Sequence, residues 1–179
     1  MQFPIWIKAA VLCAALLSAS SSALVGPSWA EESAALATTA DALWASSFKD
    51  TTGTPQKFDA MKGKIAIVYF WATWCEPCQK EAPQLRDLFE KYHDKGVDVL
   101  GIAMDNADKV KDFAAKNKLT FQVVYGGREA MQLSKDLGNS LGGIPFLVVI
   151  GRDGKIIERI TGETKDGRIE GIIAPLLAG

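Results

Sequence analysis

The stretch Ile65-Ala66-Ile67-Val68-Tyr69-Phe70, followed at once by Trp71-Ala72-Thr73-Trp74-Cys75-Glu76-Pro77-Cys78, decides the reading of this chain. The first six residues are apolar without a break and rich in β-branched and aromatic side chains. Such a run predicts a strand covered on both faces of a sheet. From Cys75 to Asp94 the period changes, and Leu85, Leu88, Phe89 and Tyr92 fall on one stripe of a helix. A buried strand therefore feeds a helix, and two cysteines stand at the joint. The i, i+3 spacing places both sulfurs on one helix face, within bridging reach. Unpaired N–H groups at the helix start stabilise a thiolate at Cys75. Pro77 suits the first turn, where its missing N–H costs nothing. Cys75 is the expected exposed nucleophile and Cys78 the more buried resolving thiol. They would exchange disulfides through a mixed-disulfide intermediate.

Outward from this joint the chain alternates. Val97–Met104 and Phe121–Tyr125 read as strands, and Ala107–Lys116 and Glu129–Leu137 as helices. Gly96 and Gly138 stop the helices before them. Phe146–Ile150 and Ile156–Thr161 flank the turn Gly151-Arg152-Asp153-Gly154, a hairpin, and Lys165–Leu177 is a closing amphipathic helix. Before the first buried strand, Leu43–Phe48 and Gln56–Phe58 flank the turn-forming residues 50–55 and predict another hairpin. The order is β-β, β-α-β-α-β-α, β-β-α. That is an α/β fold with parallel strands joined by right-handed crossovers and antiparallel strands added at one side.

The chain has 179 residues, 48% of them hydrophobic, and a formal net charge of −1. Low-complexity and fibrous classes are excluded, and so is the basic footprint of a nucleic-acid binder. Residues 1–30 read as a cleaved signal peptide. Lys8 is the only charge before Glu31, Ala9–Leu17 is apolar, and Ser28 and Ala30 occupy the −3 and −1 positions of a cleavage site. An uncleaved anchor is the competing reading, because Ala9–Val25 approaches the length of a membrane span. Residues 31–41 form a flexible lead-in and 42–179 a single domain. Export would leave Cys75 and Cys78 as the only cysteines, in an oxidising compartment such as the periplasm.

With these residues in view, the sequence resembles the TlpA/ResA-type thioredoxin-like thiol–disulfide oxidoreductases of bacterial envelopes. The resemblance rests on the W-A-T-W-C-E-P-C stretch, on Gln79-Lys80-Glu81-Ala82-Pro83, and on Gly143-Ile144-Pro145, and extends from about Ala42 onward. It implies a thioredoxin-like fold with a central mixed sheet and an N-terminal hairpin extension. The family's active-site acid falls on Glu81, and its cis-proline, which faces the cysteines and a bound substrate strand, falls on Pro145. The substrate-binding surface would comprise Trp74, Glu76, Pro77, Ile144 and Pro145. The resemblance also implies client proteins carrying disulfides, with clients in cytochrome c maturation or copper-site assembly. It further implies a membrane thiol–electron transporter as reductant, and no cofactor beyond the Cys75–Cys78 disulfide. A monomer is expected.

The chain departs from the pattern at three places. Phe146 and Leu147 follow the proline where many relatives carry hydroxyls, which implies a more apolar wall beside the disulfide. Tyr69 stands where thioredoxins proper keep a buried aspartate. Glu76 replaces a glycine, and a carboxylate there should disfavour the Cys75 thiolate and make the dithiol a stronger reductant. Glu81 itself has two readings, an acid–base group for Cys78 or a solvated glutamate in the first turn. Trp71 is expected in the core and Trp74 on an exposed docking surface. His93, the only histidine, sits at a helix C-terminus, where a cation is favoured. Zinc would need four ligands that the chain does not offer around Cys75 and Cys78. Lys109–Lys118 reads as a solvated helix face, and Gly126-Gly127 as a loop. Two other functions compete with disulfide reduction. One is copper delivery on the same fold, which uses C-x-x-x-C and a distant histidine. The other is a peroxiredoxin-like peroxidase.

Overall fold

The computed structural model describes residues 38–178. The expected signal peptide and most of the lead-in lie outside the described residues. Seven strands form one sheet in the order β2-β1-β5-β4-β3-β6-β7. At its centre is β3, Ile65–Trp71, all seven residues buried. It runs parallel to β4 (Val97–Ala103), which runs parallel to β5 (Gln122–Tyr125). On its other side β3 is antiparallel to β6 (Phe146–Ile150), and β6 to β7 (Ile156–Thr161). The mixed sheet is the one the alternation of elements implies.

The period of two along β3 divides the core. Ile65, Ile67, Tyr69 and Trp71 face a layer that contains α2 (Glu76–Tyr92), α3 (Ala107–Lys116) and α5 (Arg168–Ala178). Ala66, Val68 and Phe70 face the layer of α1 (Asp41–Ala45) and α4 (Arg128–Asp136). Each large apolar side chain removed from water contributes about 1.5–3 kcal/mol, so this central strand anchors both layers. The element carrying the chemistry starts where β3 stops, and it inherits that rigidity. Local caps fix the helix starts. Asn106 Oδ1 accepts the Lys109 amide at 3.0 Å ahead of α3, and Gly96 turns the chain at φ +86 after α2, a conformation that disfavours residues bearing a Cβ.

The N-terminal hairpin differs from expectation. Leu43 and Trp44 lie in the one-turn helix α1, and only Phe48–Asp50 (β1) and Pro55–Gln56 (β2) are strands. Asp41 opens that turn and Leu43 buries into the α4 layer, and a helical turn brings it there where an extended chain would not. Phe58 precedes a 3-10 turn instead of ending a strand, yet is fully buried. β1 pairs antiparallel with β5 and extends the sheet. Thr39 bridges Lys155, the Ile156 amide donates to Thr38 O at 2.9 Å, and Ala40 is fully buried. The last residues of the expected lead-in are therefore ordered. At the other end, α5 begins at Arg168, three residues later than the pattern suggests, because Gly167 adopts φ +75. The freed residues 162–167 form a loop over α2.

Candidate active site

Trp71 ends β3, and the next three residues turn the chain into α2. The Cys75 amide donates to Ala72 O at 3.2 Å. Thr73 Oγ1 donates to Asp105 at 2.5 Å, and Gln79 Nε2 donates to Thr73 O at 2.6 Å. This loop is thus tied to the end of β4 and to the helix it introduces. Burial opposes ionisation of Asp105, but the Thr73 hydroxyl, the Asn106 amide and Lys109 outweigh it and hold the carboxyl below its ordinary range. The Thr73–Asp105 pin has no signature in the sequence, since its partners are 32 residues apart.

Cys75 caps α2: its Sγ accepts the Cys78 amide at 3.4 Å. The two cysteines are disulfide-bonded, and Pro77 lies in the first turn. Cys75 retains 6% exposure and Cys78 none. Cys78 is the more buried of the two, as expected, but Cys75 is nearly covered and not the exposed residue the sequence suggested. Attack on a protein disulfide therefore requires close seating of the partner. Trp74 offers a place for it, 68% exposed directly beside Cys75, while Trp71 is fully buried. An open groove of about 370 Å³ is lined by Trp74, Met104, Arg128, Met131, Gly142 and Ile144. The Ile144–Pro145 bond is cis. Pro145 O accepts the Gly162 amide at 2.8 Å, and Asn139 Nδ2 holds Gly143 O at 2.8 Å.

Two departures read from the sequence need correction. Phe146 packs in the opposite layer, with its ring 5.9 Å from that of Phe70, and only Leu147 shares the core of the cysteines. Adjacent strand residues point to opposite faces, so the wall beside the disulfide gains one apolar side chain, not two. The Glu76 carboxylate reaches outward and pairs with Lys80 at 3.0 Å, with the two side chains 79% and 61% exposed. Water and the lysine screen it, which weakens its expected push against the Cys75 thiolate. His93 caps the C-terminus of α2 and packs its ring 4.4 Å from that of Phe89.

Glu81 is not a solvated first-turn residue. It sits in the second turn of α2 and is only 2% exposed. Burial pushes its carboxyl above the usual range, against the opposing pull of Thr164. Its Oε1 accepts the Thr164 amide at 3.2 Å. Tyr69 has one hydroxyl proton and donates it to Cys78 O at 3.0 Å. Burial and the nearby Glu81 charge keep that phenol protonated well beyond its ordinary range. Tyr69 is thus a structural tie between β3 and the cysteine turn. Glu81, one helical turn from Cys78 on the same buried face, is a carboxyl group whose affinity for a proton has moved toward that of a thiol. Thr164 escaped the sequence reading altogether, because it reaches Glu81 from a loop 83 residues away.

An open mixed sheet with a disulfide at the N-terminus of the helix after its central strand, a cis-proline loop and a buried acid behind them defines a thioredoxin-fold thiol–disulfide oxidoreductase. Comparison with known proteins gives the same class. The Redoxin family profile matches residues 32–173, and the chain belongs to that family. It is 34% identical over 126 residues to the thiol-disulfide oxidoreductase ResA of Bacillus cereus, spanning 69% of this chain and 70% of that one. ResA of Geobacillus kaustophilus is 28% identical over 122 residues, with 68% of each chain covered. Among solved structures, a thiol:disulfide interchange protein of Chlorobium tepidum superposes with a TM-score of 0.67 at 26% identity, covering 74% of this chain and 92% of that one. A secreted disulfide oxidoreductase of Mycobacterium tuberculosis, at 21% identity and a TM-score of 0.65, covers 75% of this chain and 98% of its own and shares the fold.

Proposed function

We propose that the protein reduces disulfides of client proteins in the bacterial envelope. The observation that carries this is a nearly covered Cys75 adjoining the exposed Trp74, which shares a groove with Ile144 of the cis Ile144–Pro145 bond, while Glu81 lies buried one helical turn after Cys78. In the dithiol form, the Cys75 thiolate attacks one client sulfur. A Cys75–client disulfide forms and the other client sulfur leaves as a thiolate. Glu81 takes the proton of Cys78, whose thiolate then attacks Cys75 Sγ. The intramolecular disulfide forms, the second client thiolate departs, and two electrons have passed to the client. A thiol–electron transporter in the membrane supplies the two electrons and two protons that restore the dithiol. No cofactor is needed beyond the cysteine pair itself.

The leader-like sequence of residues 1–30 supports an exported, periplasmic location. The proposed clients are the haem-binding cysteines of apocytochrome c or the copper-site cysteines of a respiratory oxidase, since both must be reduced before their metal groups are attached. Trapping tests the proposal. A Cys78→Ala variant should hold clients as mixed disulfides in its native host, and the reduced wild type should reduce insulin while Cys75→Ser does not. Insulin reduction that persists in Cys75→Ser, or turnover that depends on peroxide or on bound copper, would overturn it.

A further inference from the structure

The groove that adjoins Trp74 carries a charge that the thiol chemistry does not use. Met104, Met131 and Ile144 give it an apolar lining, and its one charged lining residue is Arg128. Arg128, Met131 and Lys135 are spaced i, i+3 and i+7 along α4, so they share one face of that helix. The backbone of Gly142 packs against this face. A Cβ at Gly142 would stand 3.3 Å from Met131 Sδ and 3.9 Å from Lys135 Cε. Gly142 lines the groove as well, so Lys135 reaches its border from the other end of the same helix face. Both cations are exposed, and neither makes an ion pair or a side-chain hydrogen bond among the described residues.

The carboxylates of α4 do not neutralise them. Glu129 lines other grooves and not this one, and Asp136 accepts Gln132 Nε2 at 2.8 Å. The result is a local positive rim on an apolar cleft, in a chain whose formal net charge is −1. Tryptophan, methionine and arginine are side chains enriched at protein interfaces, and methionines adapt to varied apolar partners. Leu141, next to Gly142 in the chain, is 91% exposed and adds apolar surface there. Continuity with the cysteines decides the occupant. Cys75 is 6% exposed, so a partner sulfur reaches it only when the partner chain is seated against Trp74, a residue of the same groove. A concave site takes in a polypeptide segment, whereas a flat lipid surface cannot fill it.

We propose that Arg128 and Lys135 select clients that carry an acidic side chain beside an apolar one in the segment flanking the reactive cysteine. The apolar side chain enters the groove against Met131 and Ile144, and the carboxylate meets the two cations on the α4 face. The proposal rests on the disulfide-exchange reading of the site and names the chemistry of its clients. Exposed charge pairs add little static affinity, but they speed and orient encounter. The selection therefore shows in kcat/KM and weakens with salt.

The test uses the full chain and a set of peptides with one intramolecular disulfide each. The peptides are identical except for a single Glu or Lys, placed in turn at each position flanking the disulfide and always next to a leucine. At the matching position the wild type should prefer Glu to Lys about tenfold in ~0.01 M salt and about twofold or less in ~1 M salt, as the screening length falls from ~30 Å to ~3 Å. The preference should invert in the double variant Arg128→Glu, Lys135→Glu and persist in Arg128→Lys. Each comparison is a ratio on one protein preparation, so a general loss of stability or reactivity does not mimic it. Equal rates for Glu and Lys peptides at every position overturn the proposal, as does a preference that survives the charge reversal. Equal rates together with sedimentation on phosphatidylglycerol vesicles that the double variant abolishes would assign the cations to a membrane surface and overturn it likewise. Failure of the wild type to reduce any of the peptides would refute the reductase reading. The Glu-to-Lys ratio, read then from oxidation of the dithiol peptides by the disulfide form, would still decide the role of Arg128 and Lys135.

Discussion

Replacing Trp74 with alanine separates the docking of a protein client from the chemistry of the disulfide. A tryptophan carries about 250 Å² of contact surface. At 68% exposure, roughly 170 Å² of Trp74 faces solvent in the free protein, and complete coverage at ~25 cal/mol/Å² sets a ceiling of about 4 kcal/mol. Docking orders side chains and covers such a surface only in part, so about 2 kcal/mol is the expected share of one central aromatic. That corresponds to roughly a 30-fold fall in kcat/KM toward a protein disulfide. Folding stability should change little, by about 0.5 kcal/mol or less, because the ring is not in the core. The assay compares insulin with a small aromatic disulfide on the same enzyme preparations. The expected result is a large loss on insulin and a loss of less than about threefold on the small substrate, which needs no docking surface. Equal losses on both would show that Trp74 acts on the cysteines and not on the client. A loss under about threefold on insulin would remove the docking role, since an anchor residue contributes more than that.

Glu81 should leave a signature in stability against pH. Burial raises its carboxyl above the unfolded value of 4.5, so the folded protein binds the proton more tightly than the unfolded chain. That contribution is complete below about pH 4.5 and is lost as pH rises toward the folded value. In urea melts of the oxidised protein, Glu81→Gln should match or trail the wild type in acid and gain on it steadily above that point; a variant that instead lost ground to the wild type as pH rose would contradict a buried neutral carboxyl. Gly101 packs where an added Cβ would meet the Phe121 ring at 3.0 Å and Trp71 Nε1 at 3.1 Å. Gly101→Ala should therefore lower stability by about 1–3 kcal/mol, seen as a lower urea midpoint at unchanged slope, and an unaffected midpoint would mean that the Phe121 ring yields freely.

The sequence was most legible where local pattern and chemistry coincide. β3 has no charged residue and is rich in β-branched and aromatic side chains, which suits a strand buried on both faces, and the cysteines shortly after it mark the start of α2. Legibility failed where one turn of chain must be assigned. Leu43-Trp44 fits a strand or a helix equally well, and the choice was made by the pocket that Leu43 fills in the α4 layer. Glu81 was legible as a residue of interest but not as a buried one, because glutamates near a helix start normally face water. What buries it is the loop at 162–167, which exists because Gly167 delays α5. Phe146 and Leu147 show a different limit. The pair was read as one apolar wall, although the alternation of a strand sends them to opposite layers.

The segment ahead of β3 bears on how this sheet avoids its own kind. A sheet of seven strands has two free borders, and an unpaired border recruits strands from other molecules. Without residues 48–56, β5 would be such a border, ending in the β-prone Gln122-Val123-Val124-Tyr125. β1 pairs with it instead, and β2 then finishes the sheet with only two residues, one of them Pro55, which has no N–H to offer. At the opposite border Thr38 and Thr39 occupy the approach to β7, whose own strand carries Glu158 and Arg159. One short stretch of chain thus closes one border and begins to guard the other. Trimming the protein to its catalytic core from Lys57 onward would leave the cysteines in place and open a β-prone border to self-association.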